Sequence, residues 1–200
     1  MNFLAHARLS FFHPPFIVGN LISDFVKGKR KFTYSSEIQR GIQLHRLIDT
    51  FTDGHEATQR AKEIFRPAYR LYCGPIVDVL FDYFLANFQE EFTDTSLMDF
   101  SQTVYRNLHA YADELPPAFL TLLPHMEKNN WLYNYQFKEG IYRSLQGLSR
   151  RSLYLKDTDA AEKLFLQHID FLNECFISLW KNIKPFAFQQ HLLLRESNNQ

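Results

Sequence analysis

His45, Asp49 and Asp53 recur at i, i+4 and i+8 in the stretch GIQLHRLIDTFTDGH, residues 41 to 55. On a helix this spacing stands them one above another on a single face. Leu44, Leu47, Ile48 and Phe51 flank the stripe and call for burial on both sides of it. Carboxylates removed from water without a partner are costly, so a polar seam in an apolar helix asks for a cation. The pattern returns elsewhere. Asn20 and Asp24 stand at i, i+4 in PFIVGNLISDF, and Asp78 and Asp82 do so among Val77, Leu80, Phe81, Phe84 and Leu85. His6 lies in the middle of NFLAHARL. Any one of these residues alone reads as a surface group or a cap. Acidic and imidazole pairs repeated on separate apolar segments read instead as one metal centre shared between helices. Oxygen-rich ligation with one or two imidazoles suits Mn²⁺, Mg²⁺ or Fe²⁺.

Other chemistries lose their anchors. The chain has no G-x-S-x-G elbow, no Walker-type loop, no G-x-G-x-x-G and no Glu-x-x-His pair of the di-iron bundles. His13, His109, His125, His168 and His191 have no acidic partner at helical spacing pointing to a shared site and read as structural.

The elements that must position the candidate ligands are helices throughout. Residues 2 to 12 read as a short helix stopped by Pro14 and Pro15. A second follows from about Phe16 to Val26, ended by Gly28, and KGKRK is then a solvated turn. Ser35 and Ser36 are N-cap candidates for the motif helix, which Gly54 terminates. An amphipathic stretch from Glu56 to about Tyr72 carries Pro67, a possible kink, and Pro75 opens the helix of Asp78 and Asp82. Further helices are expected over about 97 to 113, 117 to 127 and 137 to 149. A long one should span 159 to 182, with Thr158 and Asp159 to cap it and Pro185 just past its end. No segment alternates with period two, and no repeat is found. The expectation is a single all-α domain, a helical bundle over residues 1 to 194, with a loose tail over 195 to 200.

Composition narrows the function. A formal net charge of +0 argues against a general nucleic-acid binder, which would be clearly basic. Hydrophobic residues at 46% and charged residues at 22% exclude the disordered class. The 20 Phe and 10 Tyr are material for filling a core between helices. Cys73 and Cys175 form neither a redox pair nor a zinc-knuckle spacing, so a cytoplasmic, reducing compartment is the expectation. MNFLAHARLSFFHPP does not read as a signal peptide, and no apolar run approaches the ~20 residues that span a bilayer. No membrane association is expected.

NFLAH at 2 to 6, GNLISDFVKG at 19 to 28, GIQLHRLIDTFTD at 41 to 53 and VDVLFDYFLANF at 77 to 88 resemble the motifs of the acyl carrier protein phosphodiesterases. LQGLSRR at 145 to 151 is similar to a later segment of that family. The likeness runs in order over three quarters of the chain. It implies an HD-domain-like bundle, remotely related to HD-type phosphohydrolases, and a Mn²⁺-dependent enzyme that removes 4′-phosphopantetheine from holo acyl carrier protein. The family usually reads Asp-His where this chain has Asp82-Tyr83, so no histidine can act at that position here.

On this combined reading His6, Asp24, His45, Asp49 and Asp82 form the metal shell. Asp53 or Asp78 orients the water or a ligand histidine, and Arg46, beside His45, reaches for a phosphate oxygen. Acyl carrier proteins are acidic, as the resemblance implies. Lys27, Lys29, Arg30 and Lys31, after the Asp24 helix, and Arg150 with Arg151 are then the candidate partner contacts, and solvated helix ends are their alternative. Two rival functions stay open at this point: hydrolysis of a nucleotide or small phosphodiester by an HD-like enzyme, and a catalytically silent helical protein that binds carrier protein. The oligomeric state is not legible.

Overall fold

The computed structural model describes residues 1–151 and 158–196, with Arg151 described by its backbone alone. Among the described residues all regular structure is helical: α1 (Phe3–Arg8), α2 (Pro14–Ile22), α3 (Ser36–Gly54), α4 (Glu56–Tyr69), α5 (Cys73–Ala86), α6 (Asp94–Ala110), α7 (Pro117–Lys128), α8 (Trp131–Asn134), α9 (Lys138–Arg151), α10 (Asp159–Gln167) and α11 (Ile169–Glu196). Short 3₁₀ turns over Ser23–Phe25 and Gly28–Thr33 join α2 to α3. The helices share one core, and the all-α reading holds.

Local chemistry explains most boundaries. Pro14 and Pro15, expected to stop the first helix, also start α2, where their missing N–H groups and fixed φ suit the first turn. Ser35 stands at the N-cap of α3, though its side chain makes no capping bond. Thr93 and Ser96 form a capping box on α6. Two expectations fail at the C-terminal end. The expected single helix over 159 to 182 is two, broken at His168, and Pro185 lies inside α11 rather than beyond it. Apolar burial overrides the proline: Ile183 and Ala187 on either side are fully buried, and α11 packs on α3, α4 and α5. The helix also continues through Glu196, past the expected start of a tail; residues 197–200 lie outside the described residues.

The phenylalanines do what their number suggests. Phe16, Phe65, Phe81, Phe119, Phe165 and Phe176 are fully buried, and Phe84 stacks on Phe176 at 6.0 Å between α5 and α11. The two cysteines are free and buried. Among the described residues no helix is long and apolar enough to cross a membrane.

Two features place the candidate residues. Gly19 of α2 lies against Gly41 of α3, and a Cβ on Gly19 would stand 2.8 Å from the Gly41 Cα and collide with the Ile38 carbonyl oxygen. The backbones of α2 and α3 therefore touch, which only glycine at both positions allows. That contact brings Asn20, the residue after Gly19, toward His45, one turn beyond Gly41. The second feature fixes α1. This helix has only 6 residues and no side-chain cap of its own. Asp82 of α5 supplies one: its carboxylate accepts from the Leu4 N–H at 2.8 Å, the Ala5 N–H at 3.2 Å and the Asn2 N–H at 3.3 Å. At the other end of α1, Arg8 reaches Glu91 at 2.8 Å, and Trp180 and Lys184 of α11 hold the same carboxylate. His6 is thus clamped between two anchors.

Candidate metal centre

His6 from α1 and His45 and Asp49 from α3 meet at one point, and Asp24 from the 3₁₀ turn after α2 stands beside His45. Asp49 spans the two imidazoles, with Oδ1 3.2 Å from His6 Nε2 and Oδ2 3.0 Å from His45 Nε2. Asp24 Oδ1 is 3.3 Å from His45 Nε2. The rings stack at 4.0 Å with 19° between their planes. One ligand atom from each of His6, His45 and Asp49 lies within 4.8 Å of the others.

Both Nε2 atoms are buried, and neither makes a hydrogen bond, although each is within 3.3 Å of a carboxylate oxygen. The nitrogens and carboxylates converge on a shared point instead of pairing squarely with one another. Buried polar atoms without partners are rare and costly. A divalent cation at that point would satisfy all of them, and two imidazoles with two carboxylates are a fitting donor set for one.

The far sides of both rings are held by Asn20, which is fully buried. Its Oδ1 is 2.7 Å from His6 Nδ1 and 3.2 Å from His45 Nδ1. Its Nδ2 donates to the His6 carbonyl oxygen and to Ser10 Oγ, both at 3.0 Å.

Electrostatics divide the two histidines. Burial, with the neighbouring His45 charge, lowers the His6 pKa to about 4, so His6 is neutral. Burial pulls His45 down too, but the adjoining Asp24 and Asp49 carboxylates outweigh it and raise that pKa to about 9. Rings stacked this closely cannot both carry charge, and the one facing two carboxylates takes the proton. Asp49, pushed up by burial, is held well below the usual carboxylate range by His45 and His6. The His45 ring beside Asp24 likewise lowers that carboxyl. In the metal-free protein a proton on His45 thus stands in for the cation.

Beside the cluster opens a cavity of about 220 Å³ lined by Met1, Asp24, His45, Asp49, Thr52, Asp53 and Asp78. Asp53 is exposed and paired with Lys62 of α4 at 2.7 Å, and Asp78 accepts from the Met1 ammonium at 2.8 Å. Thr52 brings a buried hydroxyl with no partner.

Two of the sequence candidates stand outside the cluster. Asp82 turns its two oxygens to N–H groups at the start of α1. Arg46 is exposed and does not line the cavity; it stands one helix position, about 100°, from His45. Tyr83 packs against Phe84 and Phe165. Lys27, Lys29 and Arg30 are exposed, and Lys31 lies 4.8 Å over the Phe32 ring. Arg150 is exposed at the end of α9, and the Arg151 side chain lies outside the described residues. Sequence reasoning gave Thr52 and the Met1 ammonium no part, since neither carries a spacing signal.

The sequence pattern of the family described as Acyl carrier protein phosphodiesterase matches residues 1–183. A protein of that name from Klebsiella pneumoniae subsp. pneumoniae is 34% identical over 193 residues, 96% of this chain and 100% of the relative. One from Salmonella agona is 31% identical over 193 residues, again 96% and 100%. One from Yersinia pestis is 30% identical over 181 residues, 90% of this chain and 94% of its own. No solved structure matches the chain. With the family pattern running from Met1 past both the ligand helices and α5, this chain belongs to the acyl carrier protein phosphodiesterase family.

Proposed function

We infer that this chain hydrolyses the phosphodiester joining 4′-phosphopantetheine to a serine of holo acyl carrier protein, leaving apo carrier protein, and that it does so with Mn²⁺, or the similarly hard Mg²⁺ or Fe²⁺. The observation that carries the reading is the pair of orphaned imidazole nitrogens, His6 Nε2 and His45 Nε2, facing one carboxylate. When bound, a divalent cation supplies a Lewis acid for the phosphoryl oxygen and water acidic enough to act as nucleophile near neutral pH.

The residues do the rest. His6 and His45 present lone pairs, and Asp24 and Asp49 balance the cation's charge. Asp53 and Asp78 stand at the cavity wall as acceptors, each held by a cation of its own, Lys62 and the Met1 ammonium. From there one of the two orients a water and takes its proton as the water oxygen bonds to phosphorus, and that proton passes to the serine oxygen as its bond to phosphorus breaks. Thr52 has a free hydroxyl for a phosphate oxygen.

Cavity size favours the carrier-protein substrate over a nucleotide. About 220 Å³ is below the roughly 300–1,000 Å³ of pockets that enclose drug-sized ligands. Among the described residues no Phe, Tyr or Trp lines it, so a base would find only the His45 ring to stack on. A phosphodiester linkage fits, and the body of the substrate must bind outside. The turn with exposed Lys27, Lys29 and Arg30 and half-buried Lys31 comes shortly after Asp24 and offers an acidic partner its contact, with Arg150 and Arg151 as a second cluster. A reducing cytoplasm, where carrier protein is made, suits the two free cysteines.

Changing Lys29, Arg30 and Lys31 together to Glu tests the docking part. Rim charges act on association rate and are screened within ~10 Å at 0.1 M salt. kcat/KM for holo carrier protein should fall at least roughly tenfold at low salt, and less at high salt, while hydrolysis of a small phosphodiester stays near normal. Equal losses on both substrates, or no salt dependence, would remove the turn from docking. Faster turnover of free nucleotides than of holo carrier protein would favour the small-substrate rival.

A further inference from the structure

We propose that Asn20 is the positioning residue of the centre: its single carboxamide oxygen takes the Nδ1–H of both His6 and His45 and so aims both Nε2 atoms at Asp49. The proposal rests on the metal reading above and deepens it. Asn20 sits on α2, which packs on both α1 and α3, so one side chain ties together ligands from two helices.

The orientation of the amide is settled by its other end. Nδ2 donates to the His6 carbonyl oxygen and to Ser10 Oγ. Ser10 Oγ in turn donates to the His6 carbonyl oxygen at 2.9 Å, leaving a lone pair for Asn20. Turned over, the amide would set its oxygen against a carbonyl oxygen and its two N–H groups against ring nitrogens. The oxygen therefore faces the rings, and with two lone pairs it can accept from both. An acceptor at Nδ1 requires a proton there. In a neutral ring the lone pair is then left on Nε2, the atom that faces the carboxylates. Without Asn20, either ring can take the other tautomer, placing an N–H where a cation needs a donor atom. Outer partners of this kind fix the tautomer of ligand histidines, and their loss costs roughly 10–100-fold in metal affinity.

The test uses full-length protein labelled with ¹⁵N in histidine, free of metal, at pH 7.5. Long-range ¹H–¹⁵N spectra of the wild type should show a protonated Nδ1 on both His6 and His45. In Asn20→Leu, which keeps the branched shape and removes the acceptor, His6 should move toward the Nε2–H form, and Mn²⁺ binding by calorimetry should weaken by roughly 10–100-fold. Asn20→Asp keeps an acceptor oxygen and should keep Nδ1 protonated. Ser10→Ala cuts only the far end and should leave the His6 tautomer unchanged. An unprotonated Nδ1 on either ring of the wild type would overturn the proposal without any variant, even if Asn20→Leu does not fold. Unchanged tautomers and affinity in a folded Asn20→Leu would overturn it as well. A wild type with both Nδ1 atoms protonated but no affinity for Mn²⁺ would overturn the metal reading, with the spectra still supporting Asn20.

Discussion

Replacing Asp49 by alanine is expected to cost more than about 10²-fold in turnover of holo carrier protein while leaving the helical fold in place. Loss of an outer-shell partner already costs up to ~10²-fold in metal sites, and Asp49 is the one carboxylate that faces both imidazoles. The fold should survive because no buried charge is stranded. Without Asp49, His45 is left with Asp24 and gives up its proton more easily, so a neutral ring remains in the interior. Alanine also suits the middle of α3. His45→Ala should behave in the same way. Mn²⁺ titration, turnover and far-ultraviolet circular dichroism on one preparation check this together. Near-normal activity in either variant would mean that its residue is not a ligand.

The largest loss of stability is expected at Asp82→Ala, a substitution that touches no ligand. Three N–H groups of α1 depend on this carboxylate, two of them in bonds that are buried throughout. A buried donor left without a partner costs about 1–3 kcal/mol, and loss of a helix cap typically about 1 kcal/mol. An overall loss of about 3 kcal/mol should lower Tm by roughly 6–12 °C in a chain of this length. The effect depends on pH. Burial pushes the Asp82 pKa from 3.8 up to about 7, against the pull of the backbone N–H groups and the N-terminal charge. A carboxyl group raised on folding adds stability that is full below its unfolded pKa and fades as pH climbs through the folded one. Wild-type stability should therefore carry a component that declines between about pH 4 and pH 7, and Asp82→Asn should lack it. Thermal melts at several pH values measure both effects. Loss of Mn²⁺ affinity in Asp82→Ala with an unchanged Tm would restore Asp82 to the metal shell.

These two aspartates show what was legible in the sequence. His45 and Asp49 lie on one helix at i, i+4, so their meeting followed from spacing alone. His6 and Asp24 come from other elements, and only their apolar surroundings and the family resemblance drew them into the same site. Asp82 misled because a carboxylate amid apolar residues carries the same signature whether it faces a cation or the open end of a helix. Only the fold shows that α1 is too short to cap itself and borrows an acceptor 80 residues away. Asn20 was visible as a partner of Asp24 at helical spacing, yet its part depends on the Gly19–Gly41 contact, which no periodicity encodes. The helix count suffered for a similar reason. Burial of Ile183 and Ala187 carries α11 through Pro185, whereas local propensity alone would have ended it there.

The most direct measurement is the intact mass of holo acyl carrier protein after incubation with the purified chain, in Mn²⁺ and again in excess chelator. Conversion to the apo mass in Mn²⁺, its loss in chelator and its near absence with Asp49→Ala are the results this account predicts. Conversion that proceeds equally well in chelator, or with Asp49→Ala, would contradict it.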